Sequence, residues 1–215
     1  MSVDAKICGI NSAPTLEAAV AGGARFVGFV FYARSPRALD AEAAAALAAR
    51  VPRGITRVGL FVDESNEILD AILRQVSLEM LQLHGQESPA RVAEIRRRFG
   101  RPVMKAVKVA AAADVETAGA YDGVADWLLF DAKAPAQMAG ALPGGNALSF
   151  DWTLLAGRRW SRPWMLSGGL NVGNLAEAVR VTGAPVVDVS SGVEDRPGVK
   201  SLAKIEAFLK LARGL

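Results

Sequence analysis

The stretch AKICGINSAPTLEAAVAGGARFVGFVF, residues 5–31, decides the fold of this chain. Two short apolar runs, Ala5–Gly9 and Phe26–Phe31, enclose a helical segment. Pro14 suits the first turn of that helix, and Gly22-Gly23 ends it. Both apolar runs are continuous rather than alternating, which is typical of strands covered on both faces of a parallel sheet. The stretch therefore predicts a strand–helix–strand unit with parallel strands.

The same unit recurs along the chain. Six further strands are predicted at Thr56–Val62, Met80–Leu83, Val103–Val107, Trp127–Phe130, Trp164–Leu166 and Val186–Val189. Eight strand–helix units in 215 residues predict an α/β fold, a (β/α)8 TIM barrel. Typical barrels have about 250 residues, so we expect a single minimal catalytic domain over residues 1–215. A doubly wound open sheet is the alternative, and the lack of a GxGxxG fingerprint after the first strand disfavours it.

Capping residues mark the helix boundaries. Asp40 is predicted to cap an alanine-rich helix, and Ser88-Pro89 to open a helix that Gly100 closes. Asn171 is predicted to cap the helix that precedes Gly183. The sixth connection, over residues 132–149, is rich in Ala, Gly and Pro and has no helical stripe. It predicts a long loop, a feature that often serves as a lid over a binding site.

Composition excludes several classes of protein. The net charge is +3 and no basic run is interleaved with aromatic residues, so we expect no nucleic-acid partner. There is no apolar run of about 18 residues and no signal-peptide pattern, so we expect no membrane segment and a cytoplasmic location. The single cysteine excludes an internal disulfide, and one cysteine with one histidine argues against a metal site.

The candidate catalytic residues follow the strands, because barrel enzymes carry their chemistry at the carboxyl ends of the strands. Cys8 ends the first strand and Asp131 follows the sixth, across the mouth of the predicted barrel. A buried carboxyl group can act as a general acid, although a helix cap or an ion pair fits Asp131 equally well at this point. His84 begins a turn, and we interpret it as structural or as lining the substrate site.

Two loops are suited to binding anions. Gly168-Gly169 and Ser190-Ser191-Gly192 follow the seventh and eighth strands, where barrels frequently bind phosphate through backbone N–H groups. Arg34 and Arg37 lie on the second loop. A guanidinium suits bidentate recognition of a carboxylate, and a solvated basic loop is the alternative interpretation.

The chain resembles the phosphoribosylanthranilate isomerase family of tryptophan biosynthesis over essentially its whole length. The resemblance rests on motifs in chain order, which are Lys6-Ile7-Cys8-Gly9-Ile10, Gly28-Phe29-Val30-Phe31-Tyr32 with Ser35-Pro36-Arg37, Leu81-Gln82-Leu83-His84-Gly85, Leu129-Phe130-Asp131, Gly144-Gly145 with Phe150-Asp151-Trp152, Leu166-Ser167-Gly168-Gly169-Leu170-Asn171, and Val187-Asp188-Val189-Ser190-Ser191-Gly192-Val193-Glu194. It implies an Amadori rearrangement of an aminoaldose, N-(5-phosphoribosyl)anthranilate, to the aminoketose 1-(2-carboxyphenylamino)-1-deoxyribulose 5-phosphate.

The resemblance also implies a role for each matched residue. Asp131 would be the general acid that opens the ribose ring, and Cys8 the general base that removes the C2 proton. Arg37 would bind the anthranilate carboxylate, and Asp188 would orient the substrate. The phosphate would lie on Gly168, Gly169, Ser190, Ser191 and Gly192. The family uses no metal or organic cofactor, so the expected partner is a small phosphorylated substrate.

Some points stay open at this level. Asn146-Ala147 follow Gly144-Gly145 where the family often has another glycine, which leaves the lid geometry over residues 132–147 a hypothesis. We also hypothesise that the Lys6 ammonium favours the Cys8 thiolate, because both side chains face the same side of the strand. The alternatives are a related barrel acting on another aminoaldose and a non-catalytic phosphate-ligand binding protein. Monomer and homodimer are both compatible with the sequence.

Overall fold

The structure, a computed structural model, describes residues 2–135, 137–138, 140 and 142–215. Eight parallel strands form a closed barrel in chain order, as predicted. The strands are Asp4–Cys8 (β1), Phe26–Val30 (β2), Thr56–Phe61 (β3), Met80–Leu83 (β4), Val103–Val109 (β5), Trp127–Ala132 (β6), Trp164–Leu166 (β7) and Val186–Val189 (β8). An antiparallel hairpin of Glu194–Arg196 (β9) and Val199–Lys200 (β10) follows β8.

Helices cover the outside of the barrel. They are Ala13–Ala21 (α1), Ala41–Ala48 (α2), Asn66–Gln75 (α3), Pro89–Phe99 (α4), Ala112–Glu116 (α5), Leu175–Thr182 (α6) and Leu202–Arg213 (α7). Short 3-10 helices lie at Thr117–Tyr121, Trp152–Leu155 and Ser191–Val193. None of the helices in the described part of the chain is both long and apolar enough to cross a membrane.

Strand register carries the candidate site residues to the same end of the barrel. Side chains of a strand alternate between its two faces, so every second residue points inward. The barrel interior is filled by one cluster of buried side chains, Phe26, Val58, Met80, Met104, Ala106, Leu129, Met165 and Val186. The barrel closes where β1 pairs with β8, and there Lys6 lies opposite Asp188. On the other side of β1, Cys8 lies opposite Gly28 of β2.

Most predicted strand ends lie within one or two residues of the observed ones, but β6 differs in a way that concerns the site. The sequence places Asp131 after the sixth strand, whereas β6 continues through Ala132. Asp131 pairs with Lys108 of β5, and Ala132 pairs with Val109. These two additional backbone pairs hold Asp131 inside the sheet rather than in a loop. Its side chain is therefore placed by the barrel.

The predicted helix caps are confirmed with one exception. The Asp40 side chain accepts a hydrogen bond from Ala43 N at 2.8 Å, and Gly100 takes the left-handed conformation that ends α4. The prediction for Asn171 is wrong, because α6 begins after Asn174. The Asn171 side chain instead accepts from Gly173 N at 2.8 Å and so closes a turn before the helix.

The expected long loop follows β6. Its described residues, 133–135, 137–138, 140 and 142–149, contain no helix or strand, and a 3-10 helix follows at Trp152–Leu155. Ala136, Ala139 and Ala141, which belong to the predicted lid, lie outside the described residues. Gly144-Gly145 lie within the described part and contact the site, as shown below.

Candidate active site

A pocket opens at the carboxyl ends of the barrel strands. The space between its walls, counted together with the open solvent at its mouth, is about 740 Å³. Nearly all of the candidate residues line it, namely Cys8, Arg37, Asp131, Gly168, Gly169, Asp188, Ser190 and Ser191. Gly192 is not among the lining residues and packs instead against the carbonyl oxygen of Leu170. The register of eight strands thus brings side chains from distant parts of the sequence to one cavity.

Cys8 lies on one wall of the pocket beside a buried ion pair. The Lys6 ammonium donates a hydrogen bond to Asp188 Oδ1 at 2.9 Å, and Ser167 Oγ donates to Asp188 Oδ2 at 3.1 Å. Gly28 faces the pair from β2. A Cβ atom at Gly28 would lie 3.1 Å from both Cys8 Sγ and Lys6 Nζ, so only glycine leaves the two groups this space without a shift.

The ionisation of Cys8 reflects opposing influences. Burial raises the pKa of the Cys8 thiol, the Lys6 ammonium lowers it, and the Asp188 carboxylate raises it. Burial prevails, so the pKa of Cys8 lies above its ordinary value. Lys6 therefore lowers the pKa of Cys8, as we hypothesised. Because Lys6 also pairs with Asp188, its effect is smaller than the rise in pKa that burial causes. Burial also acts to lower the pKa of Lys6, but Asp188 and Cys8 outweigh it and keep the ammonium charged.

Asp131 is part of a hydrogen-bonded row on the opposite wall. Gln82 Nε2 lies 2.8 Å from His84 Nδ1, and His84 Nε2 lies 3.0 Å from Asp131 Oδ2. The Gln82 amide nitrogen is a donor, so Nδ1 of His84 accepts and its Nε2–H donates to the carboxylate. All three side chains are buried. His84 lines the pocket, which agrees with the interpretation made from sequence, and it also orients Asp131.

The loop after β6 passes close to His84 and Asp131 and also to Arg37. A Cβ atom at Gly144 would lie 2.6 Å from His84 Nε2 and 3.0 Å from Asp131 Oδ2. A Cβ atom at Gly145 would lie 2.5 Å from Arg37 Nη1. The two glycines therefore let the loop backbone lie directly against the side chains of the site, and they line the pocket.

Arg37 is held by a carboxylate of the chain itself. Its Nε and Nη2 donate to the two oxygens of Glu194 at 2.7 and 2.8 Å, and Nη2 also donates to the Gly145 carbonyl at 3.2 Å. Glu194 thus occupies the forked edge of the guanidinium, which we expected from the sequence to bind a carboxylate of a ligand. Within the described part of the chain, Nε and Nη2 have hydrogen-bond acceptors and Nη1 has none, so Nη1 can face a ligand.

The loops after β7 and β8 form the far end of the pocket. Gly168 and Gly169 follow β7, and the half-buried Ser190 and Ser191 follow β8. The buried ammonium of Lys200 donates to the carbonyl oxygen of Ser190 at 3.0 Å and lies 3.2 Å from its Oγ. This end of the pocket therefore combines loop residues that line the cavity with a nearby basic side chain, which suits an anion.

Comparison with known proteins decides the family. A family model described as N-(5'phosphoribosyl)anthranilate (PRA) isomerase matches residues 5–211. The chain belongs to this family. It is similar to the N-(5'-phosphoribosyl)anthranilate isomerases of Rhodospirillum centenum, 64% identical over 215 residues that cover 100% of both chains, and of Parvibaculum lavamentivorans, 54% identical over 213 residues that cover 99% of both.

Solved structures of PRA isomerases share the fold. The crystal structure of phosphoribosyl anthranilate isomerase from Thermotoga maritima matches with a TM-score of 0.87 and 39% identity, over 99% of this chain and 100% of that chain. A second crystal structure, in complex with reduced 1-(o-carboxyphenylamino)-1-deoxyribulose 5-phosphate, matches with a TM-score of 0.83 and 36% identity over the same shares. The predicted barrel, the family and its isomerase class are therefore confirmed.

The roles of Glu194 and Lys200 and the contact of His84 with Asp131 were not predicted from the sequence. Glu194 belongs to a motif that carries the family resemblance, but no role was assigned to it. Its partner Arg37 lies 157 positions earlier, and no local pattern joins the two. The alternation of Gln82 and His84 along β4 was a usable signal, because it points both side chains into the barrel.

Proposed function

We propose that this chain converts N-(5-phosphoribosyl)anthranilate to 1-(2-carboxyphenylamino)-1-deoxyribulose 5-phosphate by an Amadori rearrangement, the third step of tryptophan synthesis from chorismate. The observation that carries the proposal is the arrangement of the pocket. Cys8 and Asp131 line opposite walls, with Arg37 and the loops after β7 and β8 around the same cavity. An acid and a base on two sides of an anionic substrate are what an aldose–ketose isomerisation requires.

In this mechanism Asp131 is the general acid. It protonates the ribose ring oxygen, the C1–O bond breaks, and the anthranilate nitrogen forms a Schiff base with C1. His84 donates its Nε2–H to Asp131 Oδ2, so the proton is delivered from the other carboxyl oxygen. The backbone pairing of Asp131 within β6 holds this oxygen in a constant position relative to the opposite wall.

Cys8 is the general base in the same mechanism. Its thiolate removes the C2 proton of the Schiff base, and the electron pair of the C–H bond moves to neutralise the iminium nitrogen. The resulting enolamine tautomerises to the aminoketose. Burial makes the thiol a weaker acid and its thiolate a correspondingly stronger base, while the Lys6 ammonium stabilises the thiolate.

The remaining residues bind the substrate. Arg37 Nη1 would contact the anthranilate carboxylate, and Asp188 would orient the substrate while holding Lys6 beside Cys8. The phosphate would lie on the loops after β7 and β8, at Gly168, Gly169, Ser190, Ser191 and Gly192, with Gly192 contributing to the shape of the loop. No step of this scheme requires a metal or an organic cofactor.

The loop after β6 would close over the bound substrate. Support comes from Gly144-Gly145, which lie against His84, Asp131 and Arg37. A saturating product analogue should protect the loop over residues 132–147 from limited proteolysis. Equal cleavage rates with and without the analogue would remove the lid from the proposal.

A coupled assay tests the proposed function. Anthranilate and phosphoribosyl pyrophosphate are supplied together with the enzymes that precede and follow this step, and the final product is measured. Cys8→Ala and Asp131→Asn should each lower kcat by roughly 10²- to 10⁴-fold, with little effect on the melting temperature. Full activity in either variant would remove that residue from its role.

The same assay separates the alternative functions. Saturable phosphate-ligand binding without turnover would indicate a non-catalytic binding protein. Turnover of a different aminoaldose, but not of N-(5-phosphoribosyl)anthranilate, would indicate a related barrel enzyme. One solved structure, 37% identical to this chain, is of monomers generated from the dimeric isomerase of Thermotoga maritima. We propose a monomer or a homodimer here, and light scattering on the purified chain distinguishes them.

A further inference from the structure

The hairpin β9–β10 joins the two anion-binding ends of the pocket through a single carboxylate. Glu194 Oε1 accepts a hydrogen bond from Arg37 Nε at 2.7 Å and from Lys200 Nζ at 2.7 Å. Glu194 Oε2 accepts from Arg37 Nη2 at 2.8 Å. Lys200 in turn reaches Ser190 on the loop after β8. One continuous row of contacts therefore runs from Arg37 to Ser190.

The row contains two basic side chains and one carboxylate, and burial lowers the pKa of Lys200 below its ordinary value although Glu194 acts to raise it. Two cations, Arg37 and Lys200, share the one carboxylate of Glu194, and all three side chains are at most 5% exposed. Burial acts to raise the pKa of Glu194, but the hydrogen bonds from Arg37 and Lys200 outweigh it and keep the carboxylate ionised. Burial makes the charged form of Lys200 costly, and an anion that entered the pocket would stabilise it.

The hairpin is anchored to the loop that carries Arg37. Gly198, in the hairpin turn, lies so close to Pro36 that a Cβ atom would be 2.5 Å from the Pro36 carbonyl oxygen. Asn11 Nδ2 donates to the Gly198 carbonyl at 2.9 Å, which ties the same turn to the loop after β1. The positions of Glu194 and Lys200 are thus set by contacts with the loops after β1 and β2.

We propose that Glu194 and Lys200 are positioning residues for opposite ends of the substrate. Glu194 occupies the forked edge of Arg37 and so presents Nη1 to the substrate carboxylate. Lys200 orients Ser190 and supplies positive charge behind the phosphate site. Neither residue lines the pocket, so both act through a neighbour. This inference rests on the proposed function, because it assigns the two ends of the pocket to the carboxylate and the phosphate.

Two small anions test the two ends separately. Inorganic phosphate represents one end of the substrate and anthranilate the other. Lys200→Met should weaken phosphate about tenfold, a loss equal to about 1.4 kcal/mol, and leave anthranilate binding unchanged. KM for the full substrate should rise with little change in kcat. Lys200→Arg, which keeps the charge, should restore most of the phosphate affinity.

Glu194→Gln tests the other end. Arg37 then faces an amide that keeps one acceptor oxygen, carries no negative charge and replaces the other acceptor with an N–H donor, so anthranilate binding should weaken about tenfold or more. This change also leaves two buried cations without an anion. Glu194→Gln combined with Lys200→Met restores the net charge of the row and provides a second variant that retains the fold if the single substitution is too destabilising.

Lys204→Met is the matched control. Lys204 also contacts the hairpin, donating to the Glu194 carbonyl and pairing with Asp195 at the surface, but it does not reach Ser190 or Arg37. It should leave both affinities unchanged. The affinities are measured as competitive inhibition and, independently of turnover, by NMR titration.

The outcomes separate this inference from the proposed function. If Lys200→Met left phosphate affinity unchanged, or weakened phosphate and anthranilate alike, the role of Lys200 would be overturned. If Glu194→Gln left anthranilate affinity unchanged, its role would be overturned. If the unsubstituted chain bound both anions but did not turn over N-(5-phosphoribosyl)anthranilate, the proposed function would fail, while the titrations would still decide the roles of the two residues.

Discussion

The Cys8 thiol and the Lys6 ammonium occupy the same narrow space, and Asp188 competes with the thiol for the ammonium. A thiolate in an apolar environment is destabilised by several kcal/mol unless a cation accompanies it, so its basicity depends on how the charge of Lys6 is shared. The structure thus explains how a buried cysteine could act as a base. Beside the dominant effect of burial, Lys6 and Asp188 shift the pKa of Cys8 in opposite directions, and Lys200 also acts to lower it.

Thiol alkylation measures this competition directly, because Cys8 is the single cysteine of the chain. Lys6→Met should raise the pKa read from the pH dependence of alkylation, since the cation that stabilises the thiolate is lost. Asp188→Asn should lower it, since a repelling carboxylate is lost. A Lys6→Met/Asp188→Asn double variant should lie between the two. Identical profiles for all variants would mean that neither residue controls the thiol.

Site residues at strand ends were predictable from sequence, and their partners were not. Cys8, Asp131 and Asp188 each lie in or just after a short apolar run, and a barrel topology brings such positions together. The partner of Arg37 is different, because the contact with Glu194 depends on the closed barrel and on a short hairpin, with strands of three and two residues, that has no apolar pattern. Physical contact between such distant positions leaves no local trace in one sequence.

Among the elements, the loop after β6 departs most from the repeating strand–helix unit. Its Gly144-Gly145 pair contacts the side chains of both β4 and β6, so the loop backbone forms part of the pocket wall. Composition alone predicted a loop here, because alanine, glycine and proline without a stripe of apolar residues cannot bury a helix face. Its path across the site depends on the close approach of glycine backbone and was not predictable.

Gly144→Ala tests how much the close approach of the loop backbone to His84 and Asp131 contributes to activity. The added methyl group would lie 2.6 Å from His84 Nε2, so the loop or the imidazole must shift and the Asp131 carboxylate loses its fixed orientation. We expect kcat to fall about tenfold or more, because small displacements of catalytic groups carry large rate costs. Gly119→Ala is the control, since a methyl group there has no neighbour within 4 Å. Equal kcat values for the two variants would contradict the close packing of loop and site.

The helix ends show where local capping rules predict the structure and where they do not. Asp40 and Ser88 were identified as caps because a side-chain oxygen followed by a helical stripe has one good partner, the backbone N–H three residues later. The prediction for Asn171 was wrong because its side chain closes a turn with Gly173, and Asn174, which directly precedes α6, makes no side-chain capping hydrogen bond to that helix.

For the molecule as a whole, buried ion pairs contribute to stability as well as to the site. Lys105 of β5 donates to Glu87 Oε2 at 2.7 Å and to the Gly85 carbonyl at 2.7 Å, and Glu87 also accepts from Asp63 N at 2.9 Å. Burial acts to raise the pKa of Glu87, but Lys105 and these hydrogen bonds outweigh it and lower the pKa below its ordinary value. The pair connects three consecutive units of the barrel.

Removing one partner of this pair should destabilise the fold. Glu87→Gln leaves the Lys105 ammonium buried without a counter-ion, and we expect a loss of about 3–5 kcal/mol in the free energy of unfolding. Glu87→Gln with Lys105→Met should recover much of it. Exposed Glu177, which pairs with Arg180, provides the control, and Glu177→Gln should leave the melting temperature unchanged. Denaturant titration at pH 7 compares the variants.

The same residue makes a prediction about pH. The pKa of Glu87 is lower in the folded chain than in the unfolded one, so its contribution is complete above the ordinary glutamate value of about 4.3 and is lost as pH falls through the folded value. Stability of the unsubstituted chain should therefore fall below about pH 4.3. Glu87→Gln should show a shallower decline there, and parallel curves would exclude this source of acid sensitivity.

The closure of β1 against β8 also sets the order in which the pocket can be assembled. Lys6 meets Asp188, and Arg37 meets Glu194, across 182 and 157 positions of the chain. Contacts with such long intervening loops form late, after local helices and neighbouring strands. During synthesis, Lys6 beside Cys8 has no Asp188 to pair with until the last barrel strand is made. Arg37 likewise has no Glu194 until the hairpin is made. During refolding, recovered turnover should therefore follow closure of the barrel and lag behind the recovery of helix content.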